Sequence, residues 1–109
     1  MYYAYQSCIQ ACLQCIAICE NCASSCLKEP DIMKMTTCIQ LDLECAAICK
    51  AAVDLMSLGS QHANAVCQLC GDICTACAIE CENHDMEHCQ TCAAACRYCA
   101  EECNAMVAA

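Results

Sequence analysis

The run CQTCAAACRYCAEEC places cysteines at Cys89, Cys92, Cys96, Cys99 and Cys103, stepping by three, four, three and four residues. The same steps recur at Cys67, Cys70, Cys74, Cys77 and Cys81, and at Cys8, Cys12, Cys15, Cys19, Cys22 and Cys26. A sparser set, Cys38, Cys45 and Cys49, brings the total to nineteen. Alternating steps of three and four keep side chains on one face of an α-helix, where core leucines normally stand. A cysteine buries less area than leucine or isoleucine, at about 25 cal/mol per Å², so a merely structural core of thiols gives up many kcal/mol of possible burial. Cysteine use is normally decided by reactivity, and the reactivity at issue is metal binding.

Eight Cys-x-x-x-Cys pairs occur, at 8/12, 15/19, 22/26, 45/49, 70/74, 77/81, 92/96 and 99/103, with six Cys-x-x-Cys pairs between them. Helix positions four apart have Cβ atoms about 5–6 Å apart. Two sulfurs bound at about 2.3 Å to one metal lie within about 4.6 Å of each other. One helix can therefore supply two sulfurs to an ion and a facing helix a third. Soft thiolates suit Cu(I), Zn(II) and iron–sulfur clusters. A monovalent copper neutralises one thiolate, so a core filled at about one ion per sulfur is near neutral, whereas each Zn(Cys)4 site leaves a charge of about −2 to bury. The iron–sulfur run Cys-x2-Cys-x2-Cys-x3-Cys-Pro matches Cys67 to Cys81 only loosely, because the steps differ and the proline is missing. A thioredoxin-like pair needs a sheet, and no strand pattern is present. Thiol density, helical context and charge favour multiple Cu(I) ions per chain. The alternative is a zinc or iron–sulfur binder with a redox or electron-transfer role.

Long helices are what must position these thiols. One proline and two glycines leave extended stretches rich in Ala, Leu, Ile, Glu and Gln, which favour helix. Three breaks divide the chain: Lys28-Glu29-Pro30-Asp31, with Pro30 suited to a first helical turn; Leu58-Gly59-Ser60, with Gly59 past a helix end and Ser60 as a cap; and Glu82-Asn83-His84-Asp85, with Asn83 as an ending and Asp85 as a cap. The predicted helices span 3–27, 31–57, 61–82 and 86–106. Short connections make neighbours antiparallel, so the expected fold is all-α, an up-down-up-down four-helix bundle with a cysteine-lined core, in one domain over residues 1–109. The seam of the second helix is completed by Leu41, Ile48, Ala52 and Met56. Asp42 also falls on that seam, and the sequence leaves open whether it faces the core or the edge.

The formal net charge of −9 repels phosphate backbones and argues against nucleic acid as a partner. No run of eighteen uninterrupted apolar residues suggests a membrane span, and the start MYYAYQSC lacks the features of a signal peptide, so the expected location is the cytoplasm. Thiols there stay reduced, and an odd number of cysteines cannot all pair internally. No catalytic constellation or phosphate-binding glycine loop is present, and the protein is read as a binder rather than an enzyme.

The cysteine lattice, together with HCQTCAAACRYCAEEC at 88–103, resembles the four-helix-bundle copper storage proteins over nearly the whole chain, in particular their cytosolic branch without an export signal. The resemblance implies a bundle interior filled with cysteine-held Cu(I), a storage role and a homotetramer. A metallothionein fits less well, because such chains have few large apolar residues and no long helices.

Antiparallel topology sorts the remaining candidates by end. One end collects Cys26, Met33, Met35, Cys81, His84, Met86 and His88. Thioether and imidazole are neutral additional copper ligands, so this end is read as the mouth, with Met33, Met35, His84 and His88 as candidate ligands. The other end collects Tyr2, Tyr3, Tyr5, Met56, His62, Val66 and Met106, where rings could close the bundle and His62 is read as a surface residue. A second stripe, Ile9, Leu13, Ile16 and Ala23 on the first helix and Ile39, Leu43 and Ala46 on the second, is expected at a subunit interface.

Overall fold

A computed structural model describes residues 2–108, with the side chains of Tyr2 and Tyr3 outside the described residues, as is the expectation that their rings close one end. Four helices account for nearly all of it: α1 (Tyr2–Cys26), α2 (Thr36–Ser57), α3 (Ala63–Glu82) and α4 (Glu87–Ala108). They form the expected up-down-up-down antiparallel bundle. Each helix packs on its sequence neighbours and α4 closes on α1. The rod measures 46 × 19 × 17 Å. Cys26 at the end of α1 meets Cys38 at the start of α2, with sulfurs 3.9 Å apart, while Cys8 near the other end meets Cys103 of α4 at 3.7 Å.

The boundaries follow local chemistry. Gly59 ends α2 with a φ of 64°, the left-handed conformation that costs a glycine nothing. The Gly59 and Ser60 N–H groups donate to the Met56 and Leu55 carbonyls, which closes the helix in a Schellman motif. Three expected starts shift. Ser60 does not cap α3, which begins at Ala63 with His62 at the cap position, although the Ser60 hydroxyl accepts from the His62 N–H at 3.0 Å. Pro30 does not open α2: a 3₁₀ turn, Ile32–Met35, intervenes and α2 begins at Thr36. Asp85 does not cap α4, whose first bonds run from the Cys89 and Gln90 N–H groups to the Met86 carbonyl. A Cβ at Gly71 of α3 would lie 2.7 Å from Asn104 Oδ1 of α4, the tip of a side chain that would have to turn aside.

The core is sulfur flanked by alanine. Ala11, Ala23, Ala46, Ala52, Ala63, Ala78, Ala93 and Ala100 fill the helix–helix flanks, and Met35 and Met56 are the largest fully buried side chains. Ile9, Ala23 and Ala46 are thus buried within the monomer rather than left for a partner, because each follows a core cysteine and falls in the groove between helices. Leu13 and Leu43 keep the outward position expected of the stripe, at 51% and 54% exposure. Among the described residues no helix is long and apolar enough to cross a membrane.

Candidate metal centre

All nineteen cysteines are free and buried, none more than 1% exposed. The helical period aims them inward, and the four-helix closure stacks them into one column along the axis. Along a helix, four-residue pairs sit at 3.7 Å for Cys15–Cys19, 3.8 Å for Cys70–Cys74 and 3.9 Å for Cys92–Cys96. Between helices, spacings are as tight: 3.3 Å for Cys45–Cys74, 3.6 Å for Cys12–Cys99 and 3.6 Å for Cys49–Cys70. The interhelical contacts complete groups that no single helix could make. Cys12, Cys49, Cys70 and Cys99 come one from each helix, as do Cys15, Cys49, Cys74 and Cys99. Cys15, Cys19, Cys45 and Cys96 form a third group, Cys19, Cys77, Cys92 and Cys96 a fourth, and Cys22, Cys26, Cys38 and Cys89 a fifth nearest the mouth. In each, the four sulfurs lie within 4.8 Å of one another.

Without metal, burial favours neutral thiols, while hydrogen bonds between neighbouring sulfurs push some further up, as at Cys19 and Cys49, and pull others down, as at Cys15 and Cys77. Burial pushes the Cys89 thiol up to about 11. At Cys67 a hydrogen bond with Cys103 pulls down, but the contact with Cys8 and burial prevail and carry it up to about 12. Neutral thiols behave as small apolar groups, which is why the bundle can close over them. Each bound ion must then displace protons from the thiols it takes.

The structure settles the side on which Asp42 lies. It is fully buried at the seam position between Cys38 and Cys45. The thiols of Cys77, Cys92 and Cys81 donate to its Oδ1 at 3.2, 3.3 and 3.6 Å, and Cys38 donates to Oδ2 at 3.9 Å. Burial above all, with the sulfurs of Cys92 and Cys77 set against it, raises its pKa to about 10. In the metal-free protein it is a neutral carboxylic acid that gathers four thiols from three helices. The seam count placed it among the cysteines; only the packing shows that it faces them.

At the mouth the candidates separate. His88 reaches the column: its Nδ1 lies 3.4 Å from Cys22 Sγ and 3.6 Å from Cys89 Sγ, while Nε2 faces Glu29 Oε2 at 3.1 Å. Its ring also lines an open groove of about 520 Å³ with Ala17, Ile18, Asn21, Glu87 and Thr91. His84 instead pairs with Glu80 Oε2 at 2.8 Å, one turn back along α3. Met35 is buried at 1% exposure, whereas Met33 stands in solvent at 76%. The 3₁₀ turn explains the split: with three residues per turn, neighbouring side chains diverge by about 120°, so seating Met35 inward turns Met33 away. Met86 is half-buried against the core. At the opposite end Tyr5, Val66 and Met106 are partly buried against the column and Met56 is fully buried, while His62 is exposed.

A four-helix bundle with a continuous thiol interior defines a class of cysteine-rich metal-holding proteins, and the chain matches the sequence profile of one such family, copper storage protein (Csp), over residues 1–108. The chain belongs to the copper storage protein family. It is 47% identical over 83 residues to the uncharacterized cysteine-rich protein YhjQ of Bacillus subtilis strain 168, across 76% of this chain and 77% of that one. The Cu(I)-bound copper storage protein BsCsp3, of Bacillus subtilis, superposes with a TM-score of 0.92 at 45% identity, covering 98% of this chain and 99% of its own. A cytosolic copper storage protein from Streptomyces lividans, solved with five coppers, superposes at 0.95 with 38% identity, covering 99% and 95%.

Proposed function

We propose that the protein is a cytoplasmic store that sequesters many Cu(I) ions on the thiolates of its bundle interior, acting as a reservoir rather than a catalyst. The observation that carries this reading is the column itself: nineteen free, buried thiols in mutual contact. Soft monovalent copper is the ion whose charge such a column can balance at about one ion per sulfur. Cys8, Cys12, Cys15, Cys19, Cys22, Cys26, Cys38, Cys45, Cys49, Cys67, Cys70, Cys74, Cys77, Cys81, Cys89, Cys92, Cys96, Cys99 and Cys103 are the proposed ligands. His88 joins them through Nδ1, and Met35 lies buried at the same end. Met33 and His84 stand outside this ring, where they can meet copper before the thiols do.

The proposed assembly is a homotetramer. Exposed Leu13 and Leu43 support association, with Ile16 and Ile39 half-buried beside them. Membership of a family of storage proteins supports the non-enzymatic reading, and the relative described as cytosolic supports the location. Optical spectroscopy of the reduced protein loaded anaerobically with Cu(I) tests the cargo. The expected product is colourless, with ultraviolet sulfur-to-copper bands that persist through gel filtration at the tetramer's volume. A protein that releases its copper on the column, or that is isolated brown with iron and sulfide, overturns the reading.

A further inference from the structure

Four of the five sulfur groups named above share members, and the pattern of sharing points to a second cargo. Cys15, Cys19, Cys45 and Cys96 have five of their six edges at 3.6 to 3.9 Å: 15–19 and 15–45 at 3.7 Å, 15–96 and 45–96 at 3.9 Å, and 19–96 at 3.6 Å. A tetrahedron of sulfurs around one ion at about 2.3 Å has edges of about 3.8 Å. The apoprotein therefore already holds these four sulfurs at the spacing of a tetrahedral thiolate site. The group Cys19, Cys77, Cys92 and Cys96 shares the Cys19–Cys96 edge with it. Cys12, Cys49, Cys70, Cys99 and Cys15, Cys49, Cys74, Cys99 share the Cys49–Cys99 edge, 3.8 Å long. Cys15 is the corner common to the two pairs.

We infer that in the absence of Cu(I) the middle of the bundle takes divalent d¹⁰ cations, zinc or cadmium, as one cluster of four ions on eleven cysteines. Five sulfurs bridge (Cys15, Cys19, Cys49, Cys96 and Cys99), and Cys12, Cys45, Cys70, Cys74, Cys77 and Cys92 are terminal. Bridging answers the electrostatic objection to divalent ions in a buried core. Four isolated tetrathiolate sites would carry a total charge of −8 and consume sixteen thiols. The shared arrangement, four M²⁺ with eleven RSH giving [M4(SR)11]³⁻ and eleven H⁺, carries −3. Tetrahedral geometry with sulfur ligands is what these ions prefer. The inference rests on sulfur geometry and not on the copper reading, and its titration is separate, so either can fail alone.

The test is anaerobic titration of the reduced full-length apoprotein with Cd²⁺, following the ultraviolet sulfur-to-cadmium band and proton release, with ¹¹³Cd NMR of the product. The expected result is four resonances joined by cadmium–cadmium coupling in a linear order, with eleven protons released for those four ions, and a separate uncoupled resonance for any ion taken by the group Cys22, Cys26, Cys38 and Cys89. Cys15→Ser should cut the chain at its corner and leave two coupled pairs, with circular dichroism checking that the variant keeps its helices. Should Cys15→Ser not fold, the wild-type proton count and coupling decide alone. Release of four protons for every ion bound, only uncoupled resonances, or no sulfur-to-cadmium band overturns the inference.

Discussion

The middle of the bundle and its mouth are built from the same helical repeat but surround their sulfurs differently. Around Cys15, Cys45, Cys49 and Cys96 every nearby donor is another thiol, and no charged group intrudes. Toward the mouth, Asp42 gathers Cys38, Cys77, Cys81 and Cys92, and one turn further His88 touches Cys22 and Cys89 while binding Glu29 on its other nitrogen. The difference separates capacity from access. Sulfur alone can hold ions densely because each monovalent ion is neutralised by the ligand it binds. Imidazole and carboxyl groups add little capacity; in the proposed route His88, paired with Glu29, links the column to water, while Asp42 stays fully buried among its thiols.

Substitutions in the two regions should therefore have different consequences. Replacing Cys15, Cys19, Cys45 and Cys96 together with serine should remove about four ions of Cu(I) capacity, at one ion per thiolate. Copper analysis after anaerobic loading reads this directly, and unchanged capacity would erase the distinction. His88→Ala should leave capacity within about one ion of the parent but slow loading several-fold, because the imidazole that bridges groove and thiols is gone. His84→Ala should slow it less, since that ring is held by Glu80. Stopped-flow ultraviolet absorbance measures both, and equal rates for all three proteins would move the loading route elsewhere.

A smaller effect distinguishes Asp42 from the thiols around it. Its carboxyl stays protonated in the folded apoprotein up to about pH 10, against an ordinary value of 3.8. Between those values the folded chain binds one more proton than the unfolded chain, so stability from this group falls as pH rises. The expected slope is about 1.4 kcal/mol per pH unit between pH 5 and pH 8. Chemical denaturation of the reduced apoprotein should show that decline, and Asp42→Asn should flatten it. A slope that survives the substitution assigns the effect to other groups.

The fold was legible because one signal, the three-four step, marks the seam of each helix independently, and Gly59 and Asn83 mark ends. The predicted helices lie within a few residues of the observed ones except at α2. There the 3₁₀ turn, which needs no distinctive residue, delays the start from 31 to Thr36. The same turn separated Met33 from Met35, which sequence position alone had grouped at the mouth. Which thiol meets which across helices was not legible, because it depends on helix rotation and axial register rather than on spacing within one segment. Asp42 shows the same limit. Its place on the seam was countable, but an acidic residue there has no preferred side until four thiols from three helices are found pointing at it. Ile9, Ala23 and Ala46 looked available to a partner only because the groove between helices cannot be seen from one helix.

The most direct test of the account is the number of Cu(I) ions that one reduced chain binds under anaerobic titration against a chromophoric chelator. Interior thiolates neutralised one by one predict well over ten ions per chain, with the chelator capturing copper only after that point. Saturation at about four ions would contradict the account and describe discrete tetrathiolate sites instead of a filled column.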